Sequence, residues 1–263
     1  MIAGPQPFSH EIRMTRALEI ARKVQAHFGR RTLAAGLYGS LARQSDGPFS
    51  DIEMHVLIEG MEPEQTLEWS EGPWKAEVNL YSPEIFLAQA AELDSDWSIT
   101  HGGYAHVLPL LGDAQWFARA RERVFDHPEE EIRTVLEEAL IGDLYEIIGK
   151  LRNARATGST HSVPTCAFYA ARFSVCIAGL WNRHLYTSSS VLYDEALQLP
   201  DRPAGFDAFL RRILQGNLND AQAIFEEADA LWLGFEEWAN AHGLTLYRRL
   251  DDLLAEVQDS PRT

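Results

Sequence analysis

The chain has 263 residues, of which 46% are hydrophobic and 24% charged, so it is long enough for one large domain or two modest ones with buried cores. Its formal net charge of −16 argues against DNA or RNA as the main partner, because nucleic-acid affinity comes largely from basic residues that neutralise phosphates. The same charge would attract a polycationic small molecule, although an acidic surface also serves solubility.

The opening segment, MIAGPQPFSHEIRMTR, lacks the basic region and apolar core of a secretory signal. No stretch approaches the run of about 18 apolar residues that a membrane span needs, so we expect no membrane segment. Cys166 and Cys176 lie in one predicted helix without the spacing of a metal site. We therefore expect buried thiols in a cytoplasmic protein.

In the first half of the chain, helical periodicity alternates with the period-two pattern of strands. Ser9 is a plausible cap for the first helix, which Gly29 closes. In chain order, the patterns predict a helix at 9–28, strands at 33–39, 51–59 and 74–82, a helix at 83–93, a strand at 104–111 and a helix at 113–125.

Beyond His127-Pro128 the pattern is helical. Because the residue before a proline is pushed away from helix, this dipeptide is a natural boundary. Helices are predicted at 129–156, 164–184, 189–198, 204–214, 219–242 and 245–257. The sequence therefore predicts an α/β (α+β) domain with a mixed sheet at 1–127, followed by an all-α helical-bundle domain at 128–263.

Two carboxylates occupy the polar face of the second predicted strand. Asp51 and Glu53 are two residues apart, so they project from the same face about 7 Å apart and offer the oxygen ligands that Mg²⁺ prefers. Acidic residues on the wet face of a strand also explain most such pairs. Glu77 lies on the polar face of the next predicted strand, and three like charges together would favour a bound cation. His55 shares the face of Asp51, and we expect a partly buried structural histidine there.

Gly39-Ser40 follows the first predicted strand. Glycine permits close backbone approach, and a serine at a helix N-terminus offers a hydroxyl and N–H groups to a phosphate, although an ordinary helix cap has the same pattern. Arg43, one turn later, would bind a phosphate oxygen or face solvent. His101-Gly102-Gly103 is expected to be a plain turn, because no G-x-G-x-x-G follows it.

The order of these features is more specific than any one of them. A strand, Gly-Ser, a short helix, a turn, an Asp-x-Glu strand and a later acidic strand resemble the nucleotidyltransferase superfamily that includes polymerase β-type enzymes. The segments YGSLARQSDGPFSDIEM, WKAEVNLYS, SDWSITHG, YEIIGKLRN and HLYTSSSVLYDEA are similar, in order and spacing, to those of the kanamycin nucleotidyltransferases, the aminoglycoside 4′-O-adenylyltransferases. The similarity extends over nearly the whole chain and is strongest in its N-terminal half.

This resemblance implies an α/β nucleotidyltransferase domain, a helical C-terminal domain and a homodimer whose active sites use residues from both subunits. It also implies transfer of AMP from Mg²⁺-ATP to the 4′-hydroxyl of kanamycin-type aminoglycosides, with release of pyrophosphate and resistance to the antibiotic. By matching position, the resemblance implies Mg²⁺ ligands at Asp51, Glu53 and Glu77, and catalysis by Asp51, Glu53 and the general base Glu146. It implies aminoglycoside contacts at Glu77, Asp143 and Glu146. It implies nucleotide contacts at Gly39, Ser40, Arg43, Lys75, Ser95, Lys150, Thr187 and Ser188.

Taken alone, Glu146 and Lys150 are four residues apart on one helix face, as in an ordinary salt bridge. Where the family can carry two glutamates a turn before the general base, this chain has Gly142-Asp143. Two alternatives stay open: the same fold acting on an RNA or protein hydroxyl, and a non-catalytic module that binds a nucleotide. The net charge opposes the RNA version.

Overall fold

The computed structural model describes residues 4–251 and 253–254, which divide into two compact units. The first unit holds the described residues up to Pro128 together with Leu185–Leu192, and the second holds the rest. The sequence-based boundary places Leu185–Leu192 in the helical domain. In the structure this segment lies in the first unit, where the Tyr186 N–H donates to the Ser98 carbonyl oxygen at 2.8 Å.

The first unit is built on a mixed β-sheet. Its strands are β1 (Thr32–Tyr38), β2 (Ile52–Ile58), β3 (Gln65–Ser70), β4 (Lys75–Tyr81) and β5 (Leu108–Gly112). Its helices are α1 (His10–Phe28), α2 (Gly39–Ala42), α3 (Pro83–Ala90), α4 (Trp97–Thr100), α5 (Gly102–Ala105) and α6 (Gln115–Phe125). Across the described residues the sheet order is β3-β4-β2-β1-β5; β2 and β4 are parallel, and the other neighbours are antiparallel.

Helix α1 covers one face of this sheet. The Ser9 side chain caps it by accepting a hydrogen bond from the Ile12 N–H, and Gly29 ends it with φ +61°. Its buried face, including Ala17 and Ile20, packs against the alternating apolar residues of β1, β2 and β4. The predicted helix and the apolar face of the sheet are confirmed.

The other face of the sheet is covered by α3, α5 and α6. His55 and Leu57 in β2 are buried there, with Phe86 and Tyr104 against the His55 ring. The prediction of a wet second face is therefore wrong for this part of β2, because helices that follow β4 in the chain fold back over it. His55 is a structural histidine and is more deeply buried than expected, at 3% exposure.

Strand β3 is absent from the sequence-based prediction. It forms one edge of the sheet, and most of its residues are exposed, so it lacks a clear apolar face; Leu67 is 44% exposed. Its position lets β2 and β4 pair in parallel rather than as a hairpin. The predicted strand 104–111 begins later, at Leu108, because Gly102–Ala105 forms a helical turn.

The second unit is a helical bundle. Its helices include α7 (Glu129–Ala139), a π-helical turn (Leu140–Tyr145), α8 (Glu146–Thr157), α9 (Val163–Trp181), α11 (Phe206–Leu214) and α12 (Ala221–Ala241). The short helix α10 (Leu192–Ala196) begins at the last residue of the segment that belongs to the first unit. Helix α9 contacts α7, α8, α11 and α12. It is long and apolar enough to span a membrane, but 67% of it is buried in the bundle, as in the core helix of a soluble protein.

Two helical predictions differ from the structure. The single helix predicted at 129–156 is divided into α7, the π-helical turn and α8. In the helix predicted at 245–257, residues 245–249 have no regular secondary structure, and residues 250–251 and 253–254 are helical. Residues 252 and 255–257 lie outside the described part of the chain.

Candidate functional site

One row of side chains crosses four strands at the end of the sheet where β2 and β4 begin. The strand register pairs Tyr38 with Glu53, Glu53 with Glu77, and Glu77 with Glu68. Side chains that are paired across a sheet project from the same face. Asp51 precedes Glu53 by two residues and adds another carboxylate to this end of the sheet.

The crowding of these carboxylates affects the ionisation of Glu53. Burial, followed by the charges of Asp51 and Glu77, raises the pKa of the Glu53 carboxyl to about 7. Lys75 partly offsets the negative charge, since its Nζ lies 2.8 Å from Glu68 Oε1 and 3.5 Å from Asp51 Oδ2. A further cation at this end of the sheet would relieve the remaining repulsion.

The described residues contain no group of three or more His, Cys, Asp or Glu side chains arranged to hold a metal ion. The sequence predicts that Glu77 reaches the same ion as Asp51 and Glu53. In the structure, Glu77 Oε1 instead accepts hydrogen bonds from Tyr38 Oη and Asn79 Nδ2, each at 2.9 Å. The chemistry of the donors still fits a hard divalent cation, because all three carboxylates supply oxygen and the half-buried Glu53 lies beside like charges.

A cleft of about 320 Å³ opens beside the Gly-Ser turn and is lined by Gly39, Ser40, Arg43 and Glu53. Gly39 has φ +71°, and a Cβ there would lie 1.9 Å from Glu53 Oε2. Another residue would be strained at this φ, and its Cβ would push the Glu53 carboxylate aside. Ser40 is at the start of the short helix α2, which ends before Arg43.

The opposite wall of the cleft comes from two segments that are distant in sequence, 99–103 and 186–189. Arg43 Nη2 donates to the carbonyl oxygen of Thr187. Gly102 lies against Arg43 Nη1, since a Cβ on this glycine would be 3.7 Å from it, and Gly103 lies against the Tyr38 ring. The sequence pattern predicts a plain turn at the two glycines, and it does not predict that Gly102 lies beside Arg43 and Gly103 beside Tyr38.

The predicted nucleotide residues fall into separate groups. The cleft brings together Gly39, Ser40, Arg43, Thr187 and Ser188. Lys75 and Asp51 line a neighbouring cleft with Phe49 and Trp74. Ser95 lies in the turn before α4 and does not line the cleft beside Ser40.

The second unit has its own acidic cleft, of about 270 Å³, beside the start of α8. Gly142 and Asp143 belong to the π-helical turn, and Glu146 is the first residue of α8. A π-helical turn inserts an extra residue into a helix and often occurs at functional sites. The sequence did not predict it, because helical periodicity alone does not distinguish it from a regular turn.

Glu146 and Lys150 form the ion pair that their spacing predicts, with Oε1 and Nζ 2.6 Å apart and both side chains exposed. The hydrogen bond and charge of Glu146 raise the pKa of Lys150. Tyr169 and Phe173 line the same cleft with their rings stacked at a centroid distance of 6.1 Å. This cleft therefore offers carboxylates and aromatic faces, a combination that suits a cationic, ring-containing ligand.

Comparisons with known proteins match most of the chain. The family described as the KNTase C-terminal domain matches residues 114–245. Two curated proteins named aminoglycoside nucleotidyltransferase (4′), from a Bacillus species and from Staphylococcus aureus, are each 33% identical over 240 residues, which is 91% of this chain and 95% of the relative. A solved nucleotidyltransferase-like protein from Exiguobacterium sibiricum shares the fold, with a TM-score of 0.53 and 13% identity over 93% of this chain and 81% of that chain.

Proposed function

Because this chain belongs to the aminoglycoside nucleotidyltransferase (4′) family, we propose that it transfers AMP from Mg²⁺-ATP to the 4′-hydroxyl of kanamycin-type aminoglycosides and so confers resistance to them. The observation that carries the proposal is the contact between the Gly39-Ser40 turn and Glu53, which joins a phosphate-binding turn to a carboxylate pair. The net charge of −16 supports a polycationic acceptor.

The nucleotide half of the site lies in the first unit. Ser40 and Arg43 hold the triphosphate, and the backbone around Thr187 and Ser188 lines the nucleotide cleft beside them. Arginine suits this role because its guanidinium can form two hydrogen bonds to a phosphate at once. Lys75 and Ser95 are assigned to the nucleotide by family position alone.

The carboxylates of Asp51 and Glu53 would hold Mg²⁺, and Glu77 lies beside Glu53 at the same end of the sheet. When bound, Mg²⁺ neutralises triphosphate charge and polarises the α-phosphate. The family position of Glu77 also supports pairing with an ammonium group of the aminoglycoside.

The acceptor half of the site lies in the second unit. Glu146 removes the proton of the 4′-hydroxyl as its oxygen attacks the α-phosphorus, so a new O–P bond forms, the bond to the bridging oxygen breaks and pyrophosphate leaves. Arg43 stabilises the negative charge that develops on the pyrophosphate, and Lys150 is assigned to the nucleotide by family position alone. Asp143 pairs with a drug ammonium group in the cleft beside Glu146.

Family membership also supports a cytoplasmic homodimer in which each active site uses both subunits. Sedimentation velocity on the purified protein tests this assembly, and a monomer at assay concentrations would contradict it.

Pyrophosphate release that requires both ATP and an aminoglycoside tests the reaction. We expect the substitution Glu146→Gln to lower turnover by about 10²- to 10⁴-fold, the usual contribution of a general base. Glu138→Gln, which alters an exposed glutamate on α7, is the matched control and should leave turnover unchanged. Near-normal turnover by Glu146→Gln would remove the general-base assignment.

The same assay distinguishes the alternatives. Release driven by an oligonucleotide or a protein, and not by aminoglycosides, would identify a different acceptor. ATP binding without turnover on any acceptor would identify a non-catalytic module.

A further inference from the structure

Tyr38 links the two parts of the nucleotide half of the site. Its backbone leads directly into the Gly39-Ser40 turn, while its hydroxyl donates a hydrogen bond to Glu77 Oε1 at 2.9 Å. One residue therefore connects the phosphate-binding turn to a carboxylate two strands away.

The same oxygen of Glu77 receives a second hydrogen bond. Asn79 Nδ2 lies 2.9 Å from Glu77 Oε1 and 3.0 Å from Tyr38 Oη. The amide of Asn79 is itself oriented by Thr66, whose Oγ1 donates to Asn79 Oδ1 at 2.6 Å. Within the described residues, both recorded donors to Glu77 go to Oε1, which leaves Oε2 as the oxygen available to a ligand.

The Tyr38 ring is the end member of a stack of three rings. It lies nearly parallel to His55 at a centroid distance of 4.1 Å, and His55 lies nearly parallel to Tyr104 at 5.2 Å. Gly103 also lies against the Tyr38 ring, since a Cβ there would be 3.3 Å from Tyr38 Cδ2. These contacts limit the rotamers open to the ring, so the hydroxyl keeps its direction.

The hydrogen bonds of the Tyr38 hydroxyl have a fixed order. Its proton is donated to Glu77 Oε1, and its oxygen accepts from Asn79 Nδ2 at 3.0 Å.

We propose that Tyr38 and Asn79 are positioning residues for Glu77, holding Oε1 so that Oε2 is presented to the divalent cation or to an ammonium group of the acceptor. The proposal rests on the function proposed above. It assigns a role to two residues that carry no obvious catalytic signature in the sequence. Outer partners of this kind commonly change metal affinity or activity by about 10- to 100-fold when they are removed.

The substitution Tyr38→Phe tests the proposal because it removes one oxygen and keeps the ring in the stack. Tyr104→Phe is the matched control, since it also removes the hydroxyl of a half-buried tyrosine stacked on His55, but that hydroxyl donates to Gln89 Oε1. Two dissociation constants are measured for each variant. One is that of Mn²⁺, titrated in the presence of saturating α,β-methylene ATP, and the other is that of kanamycin.

We expect Tyr38→Phe to weaken Mn²⁺ or kanamycin binding about 10- to 100-fold, and Tyr104→Phe to leave both unchanged. We also expect Thr66→Val to weaken the binding of the same ligand by a smaller factor. In the Glu77→Gln background, Tyr38→Phe should have little further effect, because its partner is already altered.

Equal binding by Tyr38→Phe, Tyr104→Phe and the unaltered protein would overturn the positioning role. A full, additive effect of Tyr38→Phe in the Glu77→Gln background would overturn it as well. If the unaltered protein binds Mn²⁺ with the nucleotide and adenylylates kanamycin, either result removes only the positioning role. Failure of the unaltered protein to do so removes the proposed function itself.

Discussion

The Glu53 carboxyl shows how a crowded carboxylate in the candidate site lowers the stability of the folded protein. Burial and the neighbouring carboxylates raise the pKa of its carboxyl from the ordinary 4.5 to about 7. The folded state therefore holds the Glu53 proton more tightly than the unfolded state does. Its contribution makes the metal-free protein more stable as the pH falls from about 7 towards 4.5, and least stable above 7.

We predict that Glu53→Gln abolishes nucleotidyl transfer and yet stabilises the metal-free protein at pH 8 by about 1 to 3 kcal/mol, because it removes a buried charge. Thermal unfolding in a chelating buffer measures the effect, which should shrink as the pH is lowered towards 5. Glu68→Gln, at an exposed position in the same row, is the control and should bring no such gain. A Glu53→Gln protein that is less stable than the unaltered one at pH 8 would contradict this account.

Some residues of the candidate site could be predicted from the sequence, and others could not. The Gly-Ser pair and the Asp-x-Glu strand indicated Ser40 and Glu53, since short motifs carry their own geometry. Tyr38 and Asn79 were missed because their role depends on the register between β1, β2 and β4, which the sequence does not state. The assignment of site residues to nucleotide, metal and drug stays a prediction.

At the scale of elements, the turn between β1 and α2 depends on a glycine. Gly39 combines a positive φ with contact to the Glu53 carboxylate, so a side chain there would be strained and would also displace Glu53. Gly47, in the following loop, has open space around its Cα and no positive φ.

We predict that Gly39→Ala destabilises the protein by about 1 to 3 kcal/mol, because its side chain is strained at a positive φ, and lowers kcat/KM by about 10-fold or more, because its Cβ displaces the Glu53 carboxylate. Gly47→Ala is the matched control and should change neither quantity measurably. Thermal unfolding and steady-state kinetics measure both variants. Normal kcat/KM in Gly39→Ala would show that contact between turn and carboxylate is dispensable.

The elements also show where sequence patterns stop being informative. Helix α1 and strands β1, β2 and β4 were predicted because each has one apolar face against a core. Strand β3 was missed because an exposed edge strand is held by backbone hydrogen bonds to β4, which leave no apolar period. The π-helical turn at Leu140–Tyr145 was missed because it changes the backbone hydrogen bonds but not the helical pattern.

At the scale of the whole molecule, the net charge of −16 should act on the two substrates in opposite ways. A negative protein attracts a polycationic aminoglycoside and repels ATP, and added salt screens both interactions.

We predict that raising NaCl from about 50 mM to about 500 mM increases the KM for kanamycin several-fold, while the KM for ATP stays constant or falls. Steady-state kinetics at fixed free Mg²⁺ measure both constants. Equal increases in the two KM values would show that salt acts through general inhibition instead.

The central claim concerns the reaction and the atom at which it occurs. The most direct test is mass spectrometry after incubation of the protein with Mg²⁺-ATP and a matched pair of aminoglycosides, one carrying the 4′-hydroxyl and one lacking it. We expect an AMP adduct on the first compound and none on the second. An adduct on the 4′-deoxy compound, or no adduct on either, would contradict it.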